Sequence, residues 1–166
     1  MLVVSDTSPL SNLAIIGRLP LLRKRYGEVL IPPTVRSELE ALSHSQGRSA
    51  ITESIASGWI RVERLPESVD WSDLLERADP GECEAIALAE SLKADKILLD
   101  DREGRELARE RGLKVTGVLG ELLHAKRLGL IDSLRREMDA LRDEARFFVH
   151  RDLRALFLSE AGENEA

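Results

Sequence analysis

Cysteine is nearly absent from this chain, with Cys83 alone among 166 residues. One thiol excludes an intramolecular disulfide framework and any cysteine-cluster zinc site, and it makes a reducing, intracellular setting the default. Histidine is also scarce, at three. His44 sits in Ser43-His44-Ser45, but no G-x-S-x-G elbow accompanies it, so the stretch reads as a polar loop between helices. His124 and His150 are equally unaccompanied. One Tyr, three Phe and two Trp leave few platforms on which bases of a single strand would stack. No apolar run approaches the roughly 18 residues that a membrane-spanning helix needs. Met1-Leu2-Val3-Val4-Ser5-Asp6 has neither the basic flank nor the length of a signal peptide. The expectation is a soluble, cytoplasmic protein without membrane involvement.

What remains is ordinary globular material. The length suits one domain, which at this size removes roughly 70% of the unfolded chain's surface from water, enough to hold a core without staples. Acidic residues exceed basic ones by 30 to 24, and a net charge of -6 argues against broad, charge-driven coating of nucleic acid. It leaves room for a local basic rim. Of the basic residues 19 are Arg, whose guanidinium groups grip phosphate in fork geometry.

Short apolar runs alternate with helical periodicity along the chain. Leu2-Val3-Val4 reads as a buried strand feeding a helix with Ser8 as N-cap and Pro9 at its first position. A second helix spans about Leu19 to Arg25, and Val29-Leu30-Ile31 before Pro32-Pro33 reads as the next strand. Val35, Leu39 and Leu42 mark one buried helix stripe, and a further helix runs from about Arg48 to Ser57. Trp59 to Leu65 is an edge strand or an extended loop. Asp79-Pro80-Gly81-Glu82 has the form of a capping box, opening a helix through Leu92 that is apolar almost all round. Lys96-Ile97-Leu98-Leu99 reads as a central parallel strand, since its hydrophobicity is continuous. A helix from Arg102 to Arg111, a strand Leu113 to Thr116 and a helix Val118 to Leu128 follow, with Gly117-Val118-Leu119-Gly120 as a strand-to-helix turn. Helices over Ser133 to Asp143 and Leu153 to Glu160 complete the chain. This alternation predicts an α/β fold with a mainly parallel central sheet covered on both faces. The domain expected is 1–130, with a helical C-terminal extension at 131–161 packed on it and a frayed tail at 162–166.

In such a sheet, ligands collect outside the carboxyl ends of the strands. Asp6 follows the first strand and Asp100-Asp101 follow Leu99. Glu38 and Glu84 lie on helices beside apolar stripes, where a surface carboxylate would not ordinarily be aimed. Burying several carboxylates together costs several kcal/mol per ion unless something cationic joins them. An oxygen-only donor set suits a hard divalent ion, Mg²⁺ or Mn²⁺, of the kind that activates water in phosphodiester hydrolysis. Each acid also has an ordinary explanation as a cap, a turn residue or a solvated helix position. Arg18, Arg23, Lys24 and Arg25 form one basic cluster. Arg102, Arg105 and Arg109 form another that would hold a phosphate backbone, unless these charges are simply solvated and paired with acids such as Glu106 and Glu110.

Val4-Ser5-Asp6-Thr7-Ser8-Pro9-Leu10, Pro32-Pro33-Thr34-Val35-Arg36-Ser37-Glu38-Leu39, Asp79-Pro80-Gly81-Glu82-Cys83-Glu84-Ala85-Ile86-Ala87-Leu88-Ala89 and Leu98-Leu99-Asp100-Asp101-Arg102, in this order, resemble a PIN-domain protein of the DUF3368 type. Many members of that branch are regarded as toxin components of prokaryotic toxin-antitoxin pairs. The resemblance implies a three-layer α/β/α sandwich acting as a metal-dependent ribonuclease. Carried over by position, it implies that Asp6, Glu38, Glu84 and Asp101 form the catalytic acidic quartet, with Asp6, Glu84, Asp101 and Asp100 around Mg²⁺ or Mn²⁺. Ser8 resembles the residue that orders the metal's waters, and Arg102 stands where substrate would be positioned. Asp100 falls where many PIN sequences have Thr or Asn, and so adds either a fifth carboxylate or a cap. Glu82 competes with Glu84, but the capping box accounts for Glu82. The expected function is an endoribonuclease with an RNA substrate, an antitoxin partner and a homodimeric state. Two other readings stay open: a catalytically inactive PIN-like binding or regulatory module, and a phosphohydrolase using Asp6 as a covalent nucleophile. The last lacks the second Asp two residues on, where Ser8 stands.

Overall fold

In the computed structural model, which describes residues 1–163, five of the apolar runs become one sheet. The strands are β1 Val3–Ser5, β2 Val29–Ile31, β3 Ile60–Val62, β4 Lys96–Leu98 and β5 Val115–Thr116. They lie in the order β3-β2-β1-β4-β5, and every neighbouring pair is parallel. Successive residues of a strand face opposite sides of its sheet. Val3, Val4 and Ser5 are all buried, as are Val29, Leu30 and Ile31, so helices cover both faces of the sheet. This explains why these runs show no polar alternation.

The helices are α1 Thr7–Ile15, α2 Pro20–Tyr26, α3 Pro33–Glu40, α4 Ser45–Ala56, α5 Pro80–Leu92, α6 Arg102–Glu110, α7 Val118–Arg127, α8 Leu134–Ala145 and α9 Arg151–Glu160. A 3-10 turn at Ser72–Glu76 has no counterpart in the sequence reading. The α/β architecture with an all-parallel sheet is the one expected. Helix α5 packs on β1 and β4, and its residues from Gly81 through Ala89 are all buried, as an apolar circumference requires. Helix α8 packs on α1 and α7, and α9 on α7.

Several boundaries differ from the sequence reading for identifiable reasons. Helix α1 starts at Thr7 with Asp6 in the cap position, not Ser8, because Pro9 is tolerated anywhere in a first turn, where N–H groups have no helical acceptor. Helix α4 starts at Ser45, three residues early, because His44 serves as its cap: the Gly47 N–H donates to His44 Nδ1 at 2.9 Å. Within Trp59 to Leu65, Ile60–Val62 forms the edge strand β3 and the remainder is irregular. At the C terminus, Glu163 is tied down by the N–H groups of Leu134 and Arg135, at 2.6 and 3.1 Å, at the start of α8. Residues 164–166 of the tail lie outside the described residues. Among the described residues, no helix is long and apolar enough to cross a membrane.

Ile97 is wholly buried in β4, between β1 and β5. Ile97→Ala is predicted to lower stability by about 2–5 kcal/mol and Ile97→Val by about 0.5–1.5 kcal/mol. Urea unfolding measures both, and equal losses would contradict close packing at this strand.

Candidate metal centre

The strand order reverses direction at β1, which has β2 on one side and β4 on the other. A crevice opens at such a switch point beyond the carboxyl ends of the strands. Asp6 enters it directly from β1, and its backbone N–H donates to Leu98 O at 3.0 Å, tying it to the end of β4. Asp6 has the extended backbone of a helix cap, but its side chain makes no capping hydrogen bond. The carboxylate, only 5% exposed, is left to the crevice.

Glu38 arrives from α3 and Asp79 from the N-cap of α5. The Thr7 hydroxyl donates to Glu38 Oε1 at 3.1 Å. The same carboxylate lies so close to Gly81 that any Cβ there would overlap it, so the glycine is what admits Glu38. Asp79 uses Oδ1 to accept the Glu82 N–H at 2.9 Å. One carboxylate oxygen from each of Asp6, Glu38 and Asp79 lies within 4.8 Å of the other two.

Glu82 departs from the sequence reading. The Asp79 half of the capping box is made, but the Glu82 carboxylate reaches towards α6, where a Cβ on Gly104 would sit 3.1 Å from Glu82 Oε2. There it faces Asp79, Asp6 and Asp101. Glu84 is buried too, but its Oε2 accepts a hydrogen bond from the Thr34 hydroxyl in the first turn of α3. The two neighbouring aspartates cap different helices. Asp101 accepts the Gly104 N–H of its own helix α6 at 3.1 Å, while Asp100 Oδ1 accepts the Val118 N–H of α7 at 2.9 Å. Asp100 Oδ2 is buried without a hydrogen-bond partner.

Of the residues expected at the site, Asp6, Glu38, Asp100 and Asp101 meet around this crevice. Glu84 is turned to Thr34, the Ser8 hydroxyl accepts from Asn12 Nδ2 at 3.1 Å, and Arg102 is 91% exposed beside Glu106. Asp79 and Glu82, read in the sequence as a capping box, and Thr7, not singled out there, join the group. The capping signal at Asp79-Pro80-Gly81-Glu82 located the first two, but a cap consumes only one carboxylate oxygen of Asp79.

The family model described as PIN domain (DUF3368) matches residues 2–163. The chain belongs to the PIN-domain family. No curated protein and no solved structure matches it significantly. Membership points to a nuclease-type hydrolase with a nucleic-acid substrate.

The electrostatics follow first from burial and then from crowding. Burial pushes the Asp6 carboxyl up to about 7; the Thr7 N–H opposes this, and Asp79, Glu38 and Asp100 add to it. Glu82 rises to about 8, first through burial and then through Asp79, Asp6 and Asp101. Burial also raises Glu38, against the Thr7 hydroxyl and with Asp79. Asp100 rises to about 6 by burial, opposed by the Val118 N–H and by Arg105. No ion pair among the described residues engages Asp6, Glu38, Asp79, Glu82 or Asp101. Oxygen donors only, no cationic side chain to offset them and one unfilled buried acceptor nearby fit a hard divalent cation.

Carboxyls raised in the folded state favour folding while protonated. Their contribution is full below about pH 4 and is lost as pH climbs through 7 and 8. Chelator-treated protein should therefore lose thermal stability between about pH 5 and pH 8, and Asp6→Asn should flatten that loss. Added Mn²⁺ should raise Tm more at the higher pH, because the ion competes with protons for the same oxygens. A metal-induced shift independent of pH in scanning calorimetry would contradict the assignment.

Proposed function

We propose that this PIN domain is an endoribonuclease in which Asp6, Glu38, Asp79 and Glu82 hold Mg²⁺ or Mn²⁺, with Asp101 and Asp100 at the rim. The observation that carries this reading is the approach of the Asp6, Glu38 and Asp79 oxygens to within 4.8 Å of one another. When bound, the ion lowers the pKa of a water and offsets charge building on the leaving oxygen. The chain's own residues do the rest. Thr7 orients Glu38 by its hydroxyl, and Gly81 keeps room for that carboxylate. Glu82, which faces Asp79, Asp6 and Asp101 from the start of α5, is suited by that position to accept a proton from the attacking water. Glu84 acts at one remove, bonding α5 to the first turn of α3 and so fixing the helix that carries Glu38. Arg102, projecting into solvent, is available to an RNA backbone, and Ser8, held by Asn12, lies one residue beyond Thr7. No covalent intermediate on Asp6 is needed.

The reading extends, through the family resemblance, to a toxin restrained by an antitoxin protein and to a homodimer. Exposed Phe148 and Leu156, just before and within α9, give such contacts an apolar surface.

The test is cleavage of mixed-sequence RNA with Mg²⁺, with Mn²⁺ and with chelator. Asp6→Asn and Glu82→Gln should each lower the metal-dependent rate by about 100-fold or more, the usual scale for removing a group that acts in proton transfer or charge stabilisation. Glu84→Gln should stay within about tenfold, since its amide oxygen still accepts from Thr34. Full activity in Glu82→Gln with loss in Glu84→Gln would reverse the assignment. Absence of both cleavage and divalent-ion binding in the parent protein would favour the inactive module.

A further inference from the structure

Beside the acidic crevice lies a cavity of about 610 Å³ that the proposed chemistry leaves unused. Its volume falls in the range of small-ligand pockets, roughly 300–1,000 Å³. One wall is α6, presenting Arg102, Arg105 and Arg109. The opposite wall is apolar: Phe147 before α9, and Leu153 and Phe157 on α9. Phe147 is fixed by its N–H, which donates to Leu141 O at 2.9 Å at the end of α8. Thus two of the chain's three phenylalanines face one pocket, a concentration the scarcity of aromatics would not suggest.

The charges on the arginine wall are not all spent. Arg102 pairs with Glu106 at 3.5 Å. Arg105 donates from Nη1 to Leu99 O at 3.2 Å and lies near the Asp100 carboxylate. Glu110 is taken by Arg77 at 2.6 Å. Arg109 has no carboxylate partner in any ion pair among the described residues, and it stands exposed at the pocket. At the floor, a Cβ on Gly117 would come 2.5 Å from Asp100 Oδ1 and 2.7 Å from Arg105 Nη1, so only glycine leaves that corner open. Asp100 lines the cavity, and the next residue, Asp101, faces Glu82 in the crevice. The two sites are therefore adjoining.

We propose that this cavity is a subsite for one nucleotide of the RNA next to the cleaved bond, its base against Phe147, Leu153 and Phe157 and its phosphate on Arg109. This rests on the nuclease reading for its context. A flat base on an apolar wall beside an uncommitted guanidinium is a general mode of single-strand recognition. An acidic peptide would satisfy Arg109 but would gain little from the two rings.

The experiment uses full-length protein in chelator, titrated calorimetrically with adenosine 5′-monophosphate, adenosine and inorganic phosphate. The monophosphate should bind at least about tenfold more tightly than either fragment, since stacking and charge act together. Arg109→Gln should weaken the monophosphate about tenfold and leave adenosine unchanged; Phe157→Leu should weaken both. Asp6→Asn should alter neither. No detectable binding at millimolar monophosphate, indifference to Arg109→Gln, or equal competition by an acidic peptide would overturn the subsite. Metal-dependent RNA cleavage without this binding pattern removes the subsite alone, whereas the pattern without any cleavage removes the nuclease reading alone.

Discussion

The cost of withdrawing several carboxylates from water, raised further by setting them against one another, governs this protein. Asp6, Glu38 and Asp79 bring oxygens within 4.8 Å of one another, with Glu82 facing the same space. Like charges at that separation, partly withdrawn from water, either take up protons or attract a cation. The raised carboxyls of Asp6, Glu38 and Glu82 express the first outcome, and a hard divalent ion provides the second. A chain that maximised stability alone would not assemble such a group. Its presence at a switch point of a parallel sheet is the feature that function has to explain.

Packing makes the convergence unavoidable. The buried strand β1 delivers Asp6, and the bond from its N–H to Leu98 O sets it beside the loop carrying Asp100 and Asp101. Helix α5, buried all round its first turns, cannot rotate Glu82 into solvent without exposing Cys83, Ala85 and Ile86. Gly81 lets α3 approach closely enough for Glu38 to enter, and the Thr34–Glu84 bond clamps the same two helices. Each member is thus held where core packing and specific hydrogen bonds fix it.

Much of this was legible in the residues. Val29–Ile31 is the strand the apolar run before Pro32-Pro33 announced, and Asp79 caps α5 as its Asp-Pro start required. What escaped has physical causes. Glu82 and Glu84 lie two positions apart, roughly 200° around a helix, so they point different ways, and which one turns to Thr34 and which towards α6 is a matter of packing. Because α5 is apolar on every side, no polar stripe tells which. A capping box marks Asp79 as a helix cap, yet the cap uses only its Oδ1. Asp100 capping α7 joins residues 18 apart across a strand, which no local pattern encodes. The Phe147 and Phe157 wall depends on how α9 returns to the sheet, and that is a matter of tertiary packing.

The most direct test of the central claim is anomalous diffraction from crystals soaked in Mn²⁺. The account predicts one or two peaks within coordination distance of Asp6 together with Glu38, Asp79 or Glu82, all lost in crystals of Asp6→Asn. Crystals in which these carboxylates stay ordered while manganese is absent from the crevice, or settles only at remote surface acids, would contradict it.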